Sequence, residues 1–379
     1  MKIAVLGAGM VGRAIASDLS GQYTVNCFDI NSENLQTLKK RNPSVQVEVK
    51  DLRRFEDYPA WLKPFDAVVT AVPGFMGYKC LEAVINSGKN CADISFFPED
   101  VLQLQHLAKE KNVTIITDVG VAPGMSNLIL GYHDARMKVN NFECYVGGLP
   151  AHPQPPFFYK APFSPIDVIE EYTRPARMQV AGKIVTFEAL TDRELLHFDG
   201  VGTLEAFNTD GLRSLLFTMP HIRDMKEKTL RYPGHIDLII ALKQAGFFSE
   251  EKIEINGSSI TPLEYCSKIL INNWKLNPGE EELTIMKVRL SGTDKDKPVC
   301  IEYDLLDKYD RESETSSMAR STGYTCAAAM NLILKEIFTE KGLFPPELLG
   351  KNEAAVQFIF DYLKQRKVIW KKSVKYPTA

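Results

Sequence analysis

A chain of 379 residues is too long for one ordinary hydrophobic core and predicts two domains. With 45% hydrophobic and 25% charged residues and a net charge of −3, the composition is that of a soluble globular protein, which argues against nucleic acid or an anionic membrane as the main partner. No apolar run is long enough to span a bilayer, and a strand starting at residue 2 leaves no room for a secretory signal, so a cytoplasmic location is expected.

Lys2-Ile3-Ala4-Val5-Leu6 reads as a strand, and Gly7-Ala8-Gly9-Met10-Val11-Gly12 follows it at once. A helical pattern opens at Ala14-Ile15-Ala16, and Val25 to Phe28 forms a second strand ending at Asp29. A G-x-G-x-x-G alone is weak. Between strand and helix, with an acid closing the next strand, it predicts a dinucleotide site rather than a glycine turn without ligand. Gly7 permits the tight turn, Gly9 lets backbone approach a pyrophosphate, and Gly12 lets the helix close on the strand. The bare N–H groups of this cradle, which includes Ala8, Met10 and Val11, hold the phosphates. Asp29, with Ile30 beside it, accepts both hydroxyls of the adenine ribose. A 2′-phosphate would meet that carboxylate with no cation in Ile30-Asn31-Ser32 to neutralise it, and Lys39, Lys40 and Arg41 lie at the far end of the next helix. NAD is therefore expected rather than NADP.

A helix over 32–40 follows, with Ser32 as its cap. A third strand over 45–49 leads to Asp51 and Leu52, where an adenine ring rests in such folds. Residues 66–72 are almost uninterrupted apolar strand, as burial on both faces requires. The loop from Ala71 and Val72 into Pro73-Gly74 reads by composition as a plain turn; its location places it at the nicotinamide ribose. Then come a helix over 77–87, a strand over 90–94 carrying Asp93 at its carboxyl end, and a helix over 98–111 with Pro98 in its first turn. A sixth strand over 113–117 runs into Asp118-Val119-Gly120-Val121-Ala122-Pro123-Gly124-Met125, with Asp118 and Ala122 on the cofactor side. Six strands with short crossovers predict an α/β, Rossmann-type doubly wound parallel sheet over 1–137.

Past Gly131 the pattern changes to a second, α+β domain over 138–349 with a mixed sheet, expected to carry the substrate face and, on its other side, a subunit interface, dimer first. It contains a strand over 142–147, a proline-dense link over 148–156, and helices over 165–172 and 236–245. Paired strands over 285–290 and 299–305 surround Gly292-Thr293-Asp294, and a long helix covers 319–337. A terminal helix within 350–368 is expected to pack back on the first domain. Seven scattered cysteines (27, 80, 91, 144, 266, 300, 326) without a C-x-x-C pair predict buried reduced thiols rather than disulfides. No spacing of His, Cys and acids suits a zinc site, and no metal is expected.

Three polar segments stand out in the second domain. The first, over 158–175, holds Tyr159, Lys160, Tyr172 and Arg174; Ser164 before Pro165 is accounted for as a helix cap. The second, over 202–214, holds Glu205 and Arg213 and reads as a loop lining a cleft, since a helix there would be poorly amphipathic. The third, over 227–235, reads as a strand with Thr229 and Arg231 on one face and a turn presenting His235. Such a histidine is either a structural hydrogen-bonder or a catalyst.

The Gly7–Gly12 loop, Asp118 to Met125, Tyr145-Val146-Gly147-Gly148-Leu149-Pro150, Gly202-Thr203-Leu204-Glu205-Ala206-Phe207, and Lys228 to His235 together resemble the saccharopine dehydrogenase-like family. The resemblance runs nearly end to end, through Met318-Ala319-Arg320 and Gly342 to Glu347, and within the family is greatest to the lysine 6-dehydrogenases. It implies NAD-linked oxidation of a carbon bearing an amine, followed by hydrolysis of the imine: L-lysine to 2-aminoadipate 6-semialdehyde plus ammonia. Arg213 and Arg174 depart from the lysine 6-dehydrogenase pattern and would suit a second substrate carboxylate, so saccharopine is the alternative. A non-catalytic sensor of the NAD/NADH ratio is a more distant one. The chemistry needs a neutral amine, a carbon held within roughly 3–3.5 Å of nicotinamide C4, and an activated water. For proton transfer His235 is expected first, with Glu205 and Asp93 as carboxylates steadying the iminium. Arg231 is expected to anchor the substrate carboxylate, then Arg213 and Lys160, unless these cations are spent in ion pairs. Tyr159, Tyr172 and Tyr232 would orient the amino group. The picture is a nucleotide along the first half facing a cationic hollow in the second, with 205, 231 and 235 turned towards it.

Overall fold

The computed structural model describes residues 1–161, 165–277 and 279–376. Seven parallel strands form the first sheet, in the order Gly342–Phe344, Thr114–Ile116, Asn90–Asp93, Ala67–Thr70, Lys2–Leu6, Thr24–Asp29, Gln46–Val49. Strand order reverses at Lys2–Leu6, so the crevice at the carboxyl ends of Lys2–Leu6 and Ala67–Thr70 is the switch point where such sheets bind ligands. Ala67, Val68, Val69 and Thr70 are all fully buried, as a central strand covered on both faces must be.

The six expected strands are present, and the seventh is a correction. Gly342–Phe344 lies in the stretch assigned by sequence to the second domain, yet pairs with Thr114–Ile116 in the first sheet. Three residues are too few to show an alternation. The helix Ser317–Leu334 also returns to the first domain, where Gly323 lies against Ala14 and Ile15 of the helix Met10–Leu19. The terminal helix Glu353–Gln365 lies against the first domain, with Tyr362 and Arg366 both donating to the Asp18 carboxylate.

The second sheet has nine strands. Seven follow the order Glu194–Phe198, Gly202–Asn208, Asp224–Arg231, Lys138–Pro150, Glu282–Asp294, Lys297–Lys308, Trp370–Lys375, with Ala176–Val180 and Lys183–Phe187 branching from Asp224–Arg231. It is mixed: Asp224–Arg231 runs parallel to Lys138–Pro150, while the other pairs are antiparallel. Ser317–Leu334 lies between the sheets, and one continuous core joins Ile3 and Val5 of the first to Met286 and Val288 of the second. Thr284 and Ser317 share a buried hydrogen bond of 2.7 Å at that helix start.

Several local readings change. Asn31, not Ser32, caps the helix Ser32–Arg41, accepting from Glu33 N at 2.9 Å and Asn34 N at 3.3 Å. The helix expected over 98–111 is a short 3-10 turn, Val101–Leu104, running into Gln105–Glu110, with Asp100 as the cap. Residues 202–208 are strand rather than loop, because Glu205 and Phe207 alternate with Leu204 and Ala206 across the sheet. The hairpin turns at Lys295-Asp296, both at positive φ, whereas Gly292 marks a register shift where a Cβ would lie 1.9 Å from the Lys138 carbonyl oxygen. Ser164, expected as a cap, lies outside the described residues. All seven cysteines are free, and six are buried. Among the described residues no helix is long and apolar enough to cross a membrane.

Candidate functional site

A cleft of about 590 Å³ runs from the glycine loop to the second sheet. At its first end the backbone is crowded by design of the sequence. Gly7 adopts φ +108°, and a Cβ there would lie 2.2 Å from the Ala71 carbonyl oxygen. A Cβ on Gly12 would lie 2.1 Å from the Gly7 carbonyl oxygen, while one on Gly9 would meet nothing within 4 Å. The helix Met10–Leu19 begins with Gly9, no side-chain cap and no acid in its first turn, so its first N–H groups are open to an anion. Asp29 lies on the wall and accepts from Ala8 N at 2.6 Å and Asn31 N at 2.8 Å, which fixes its carboxylate while leaving lone pairs to accept from a ribose. These features fit a dinucleotide.

Of the residues expected at this end, Met10, Val11, Ile30, Asp51 and Leu52 line the cleft, as do Ala71, Val72, Pro73, Asp118 and Ala122. Ala8 is fully buried and contributes only its N–H. Lys39 and Arg41 are spent elsewhere, on the Pro43 and Val45 carbonyls and on Glu314. Sequence reasoning missed Arg53, which lines the same end and is held by Asp51 at 2.7 Å.

Asp93 is not on the wall. It is fully buried at a strand end, accepting from Thr70 Oγ1 at 2.6 Å, Ser95 N at 3.0 Å and Thr117 Oγ1 at 3.0 Å, and so ties together the loops that follow three adjacent strands. Burial raises its proton affinity to about 6 against the pull of those donors. It shapes the site without facing it.

At the far end, Glu227, Thr229 and Arg231 project from one face of Asp224–Arg231 onto the wall. The expected cationic hollow is instead a set of paired charges. Glu170 pairs with Arg174, Glu171 with Arg231 at 2.8 Å, Asp210 with Arg177 at 2.9 Å, and Asp118 with Arg213 at 2.9 Å. Among the described residues Glu227 alone of the cleft carboxyls beyond Asp118 has neither an ion pair nor a hydrogen bond. Gly211 makes room for it: a Cβ there would lie 1.7 Å from Glu227 Oε1. Burial first, then Glu171 and Asp210, raise the Glu227 carboxyl to about 8, with Arg213 pulling the other way.

The other expected residues divide. Arg231 is on the wall, but its guanidinium also donates to Tyr172 Oη at 3.1 Å and the Leu230 carbonyl at 3.0 Å, and stacks 4.3 Å from the Tyr159 ring centre. Arg213 is an inter-domain clamp: besides Asp118 it donates to the Phe97 carbonyl at 2.6 Å. Glu205, on the same sheet face as Arg231, is spent on Arg193 at 2.6 Å and does not reach the cleft. Lys160 donates to the carbonyls of Asn273 and Lys275 at the end of the helix Pro262–Trp274. Tyr232 donates to the Pro150 carbonyl at 3.1 Å. Tyr159 and Tyr172 are buried behind Arg231. His235 opens the helix His235–Gln244 fully buried, with no face on the cleft, so it is not placed to exchange a proton with a molecule there. Burial and Arg231 hold it down to about 3, and it is neutral at working pH. Glu227 was missed although the alternation that linked Thr229 to Arg231, carried back one step, reaches it.

Comparisons with known proteins agree with this architecture. Family models match in tandem, the Saccharopine dehydrogenase NADP binding domain over residues 3–116 and the Saccharopine dehydrogenase C-terminal domain over 120–369. A saccharopine dehydrogenase (NADP(+), L-glutamate-forming) of Pyricularia oryzae is 24% identical over 284 residues, covering 71% of this chain and 62% of that protein. The alpha-aminoadipic semialdehyde synthase of Arabidopsis thaliana is 24% identical over 401 residues, covering 94% of this chain and 37% of that protein. The chain thus spans only part of these relatives. The apo saccharopine dehydrogenase (L-Glu forming) of Saccharomyces cerevisiae shares the fold at TM-score 0.80 and 18% identity, with 99% of each chain covered. Glycine cradle, switch-point cleft and matched family domains lead to one conclusion: the chain belongs to the saccharopine dehydrogenase family.

Proposed function

We propose that the chain is an NAD-dependent oxidoreductase acting on the carbon–nitrogen bond of an amino acid, with lysine oxidised at its ε carbon as the first candidate and saccharopine as the second. The observation that carries this reading is Glu227, a cleft carboxyl raised to about 8 with which no cation pairs, the nearby Arg213 being spent on Asp118. A substrate ammonium supplies the missing charge. Moving a proton from an amine of ordinary pKa near 10.4 to this carboxylate costs about 3 kcal/mol, against about 8 kcal/mol to a carboxylate of ordinary affinity. Glu227 is therefore the group suited to deliver the neutral amine and, as the carboxylic acid it then becomes, to return a proton when water has added and ammonia leaves. The bound nicotinamide supplies a hydride acceptor. Glycines 7, 9 and 12 and the first helix N–H groups would hold its phosphates, and Asp29 its adenine ribose. Arg174, which is on the wall and a quarter exposed, is better available to a substrate carboxylate than Arg231, which is almost wholly buried.

The test is absorbance at the NADH band with lysine and saccharopine offered separately. Signal with lysine and release of ammonia supports the first candidate; signal with saccharopine alone supports the second. Binding of NAD with no turnover of any amine would sink the enzyme reading and leave a nucleotide sensor. For the cofactor, Asp29→Ala is expected to raise KM for NAD at least tenfold, the loss of one charge-assisted pair of ribose bonds, with little change in KM for the amine. If NADP already outperforms NAD in the unaltered protein, Arg53 rather than Asp29 decides the choice.

A further inference from the structure

Behind the cleft wall, buried side chains form a single line of hydrogen bonds. The Phe157 carbonyl lies 2.8 Å from His235 Nδ1; a carbonyl only accepts, so Nδ1 carries the hydrogen. Nε2, 2.9 Å from the Tyr172 hydroxyl, is then the acceptor and the hydroxyl the donor. With its hydrogen committed, the Tyr172 oxygen accepts from Arg231 Nε at 3.1 Å. Arg231 Nη2 in turn donates to Glu171 at 2.8 Å. His235 and Tyr172 are fully buried, and the ring stays neutral at working pH, so the direction of each bond is fixed.

We propose that His235 is a positioning residue: its locked tautomer directs the Tyr172 hydroxyl and thereby aims Arg231 at Glu171, setting the charge that Glu227 faces across the cleft. The proposal rests on the role given to Glu227 above. Glu227 faces Glu171 from the helix Pro165–Thr173, Asp210 and Arg213 from the loop after Gly202–Asn208, and Cys144 from Lys138–Pro150. Of these, Glu171 is the charge that Arg231 offsets. If Arg231 swings away, Glu171 acts on Glu227 less compensated and drives its proton affinity higher.

Three variants test this. Tyr172→Phe and His235→Phe are expected to lower kcat roughly tenfold and to move the acid limb of the kcat/KM profile up by about one pH unit, leaving KM for NAD unchanged. His235→Gln, whose Oε1 stands where Nε2 stood and still accepts from Tyr172, is expected to return the limb to its original place. A limb that stays put in Tyr172→Phe overturns the proposal, and that variant decides the matter should His235→Phe fail to fold. Should the unaltered protein oxidise no amine, the functional reading fails first, and the positioning role is read without turnover. The full chain is labelled with ¹³C at its glutamate carboxyls, and the Glu227 signal is assigned by its loss in Glu227→Gln. Upward displacement of that titration in Tyr172→Phe supports the proposal; an unchanged titration overturns it.

Discussion

Replacing Glu227 with glutamine is expected to lower kcat/KM for the amine by at least a hundredfold, the loss usual for a general acid–base group. The unaltered enzyme should lose activity as pH falls through about 8, because the base must be ionised to take the ammonium proton. In Glu227→Gln the residual rate should show no such limb. Stability should move the opposite way. A carboxyl whose proton affinity is higher in the folded chain than in the unfolded one stabilises the fold fully below its unfolded value, and this contribution is lost as pH rises through about 8. Glutamine carries no such titration. Thermal melting of Glu227→Gln at pH 8.5 is therefore expected at or above the temperature of the unaltered protein, with the difference shrinking towards pH 5. Retained activity with an intact acid limb would remove Glu227 from the mechanism. Gly211→Ala gives a second view of the same group, since the added Cβ collides with the Glu227 carboxyl, the movable end of a side chain. It should depress kcat with little loss of melting temperature.

The second large effect separates two glycines that look alike in the motif. A Cβ on Gly12 would press on the Gly7 carbonyl, which is backbone and cannot rotate away, so Gly12→Ala should destabilise the fold by about 1–3 kcal/mol. Gly9 is different. Its Cβ would enter open cleft, so Gly9→Ala should melt where the unaltered protein does. It should nonetheless lose the rise in melting temperature that saturating NAD produces, about 2.7 kcal/mol of stabilisation at a hundredfold excess over Kd, because the methyl occupies the space the pyrophosphate needs. Calorimetry with and without NAD reads both. If Gly9→Ala keeps the full NAD-dependent shift, the phosphates do not lie over this turn.

The difference between these two ends of the cleft is also the difference in what sequence could reveal. The glycine-loop end is local: Gly7, Gly9, Gly12 and Asp29 fall within one strand–helix–strand unit, and the roles expected of them follow from spacing. The central strands Lys2–Leu6, Ala67–Thr70 and Thr114–Ile116 were legible as local apolar runs buried on both faces, while the edge strand Gln46–Val49 is largely exposed. The far end is assembled from 118, 170–174, 209–213 and 227–231, and its chemistry is a matter of who is left over after pairing. Arg231 looked like an anchor and Glu205 like a partner for an iminium because their own partners, Glu171 and Arg193, come from separate elements. His235 attracted notice by its polar company, and that company turned out to hold it in the interior. Alternation alone puts Glu227 on the face of Thr229 and Arg231 but says nothing of its affinity, which is raised by burial first and then by Glu171 and Asp210, in the space left at Gly211.

Because Gly342–Phe344 completes the edge of a sheet that begins at Lys2, the nucleotide half cannot be finished as it leaves the ribosome. At about 5–20 residues per second, Thr114–Ile116 waits on the order of ten to fifty seconds for its neighbour. Throughout that interval it offers the one unpaired edge of an apolar strand to any other nascent chain, which is the condition under which aggregation competes with folding. Chaperone dependence during synthesis should accordingly be concentrated at this one edge.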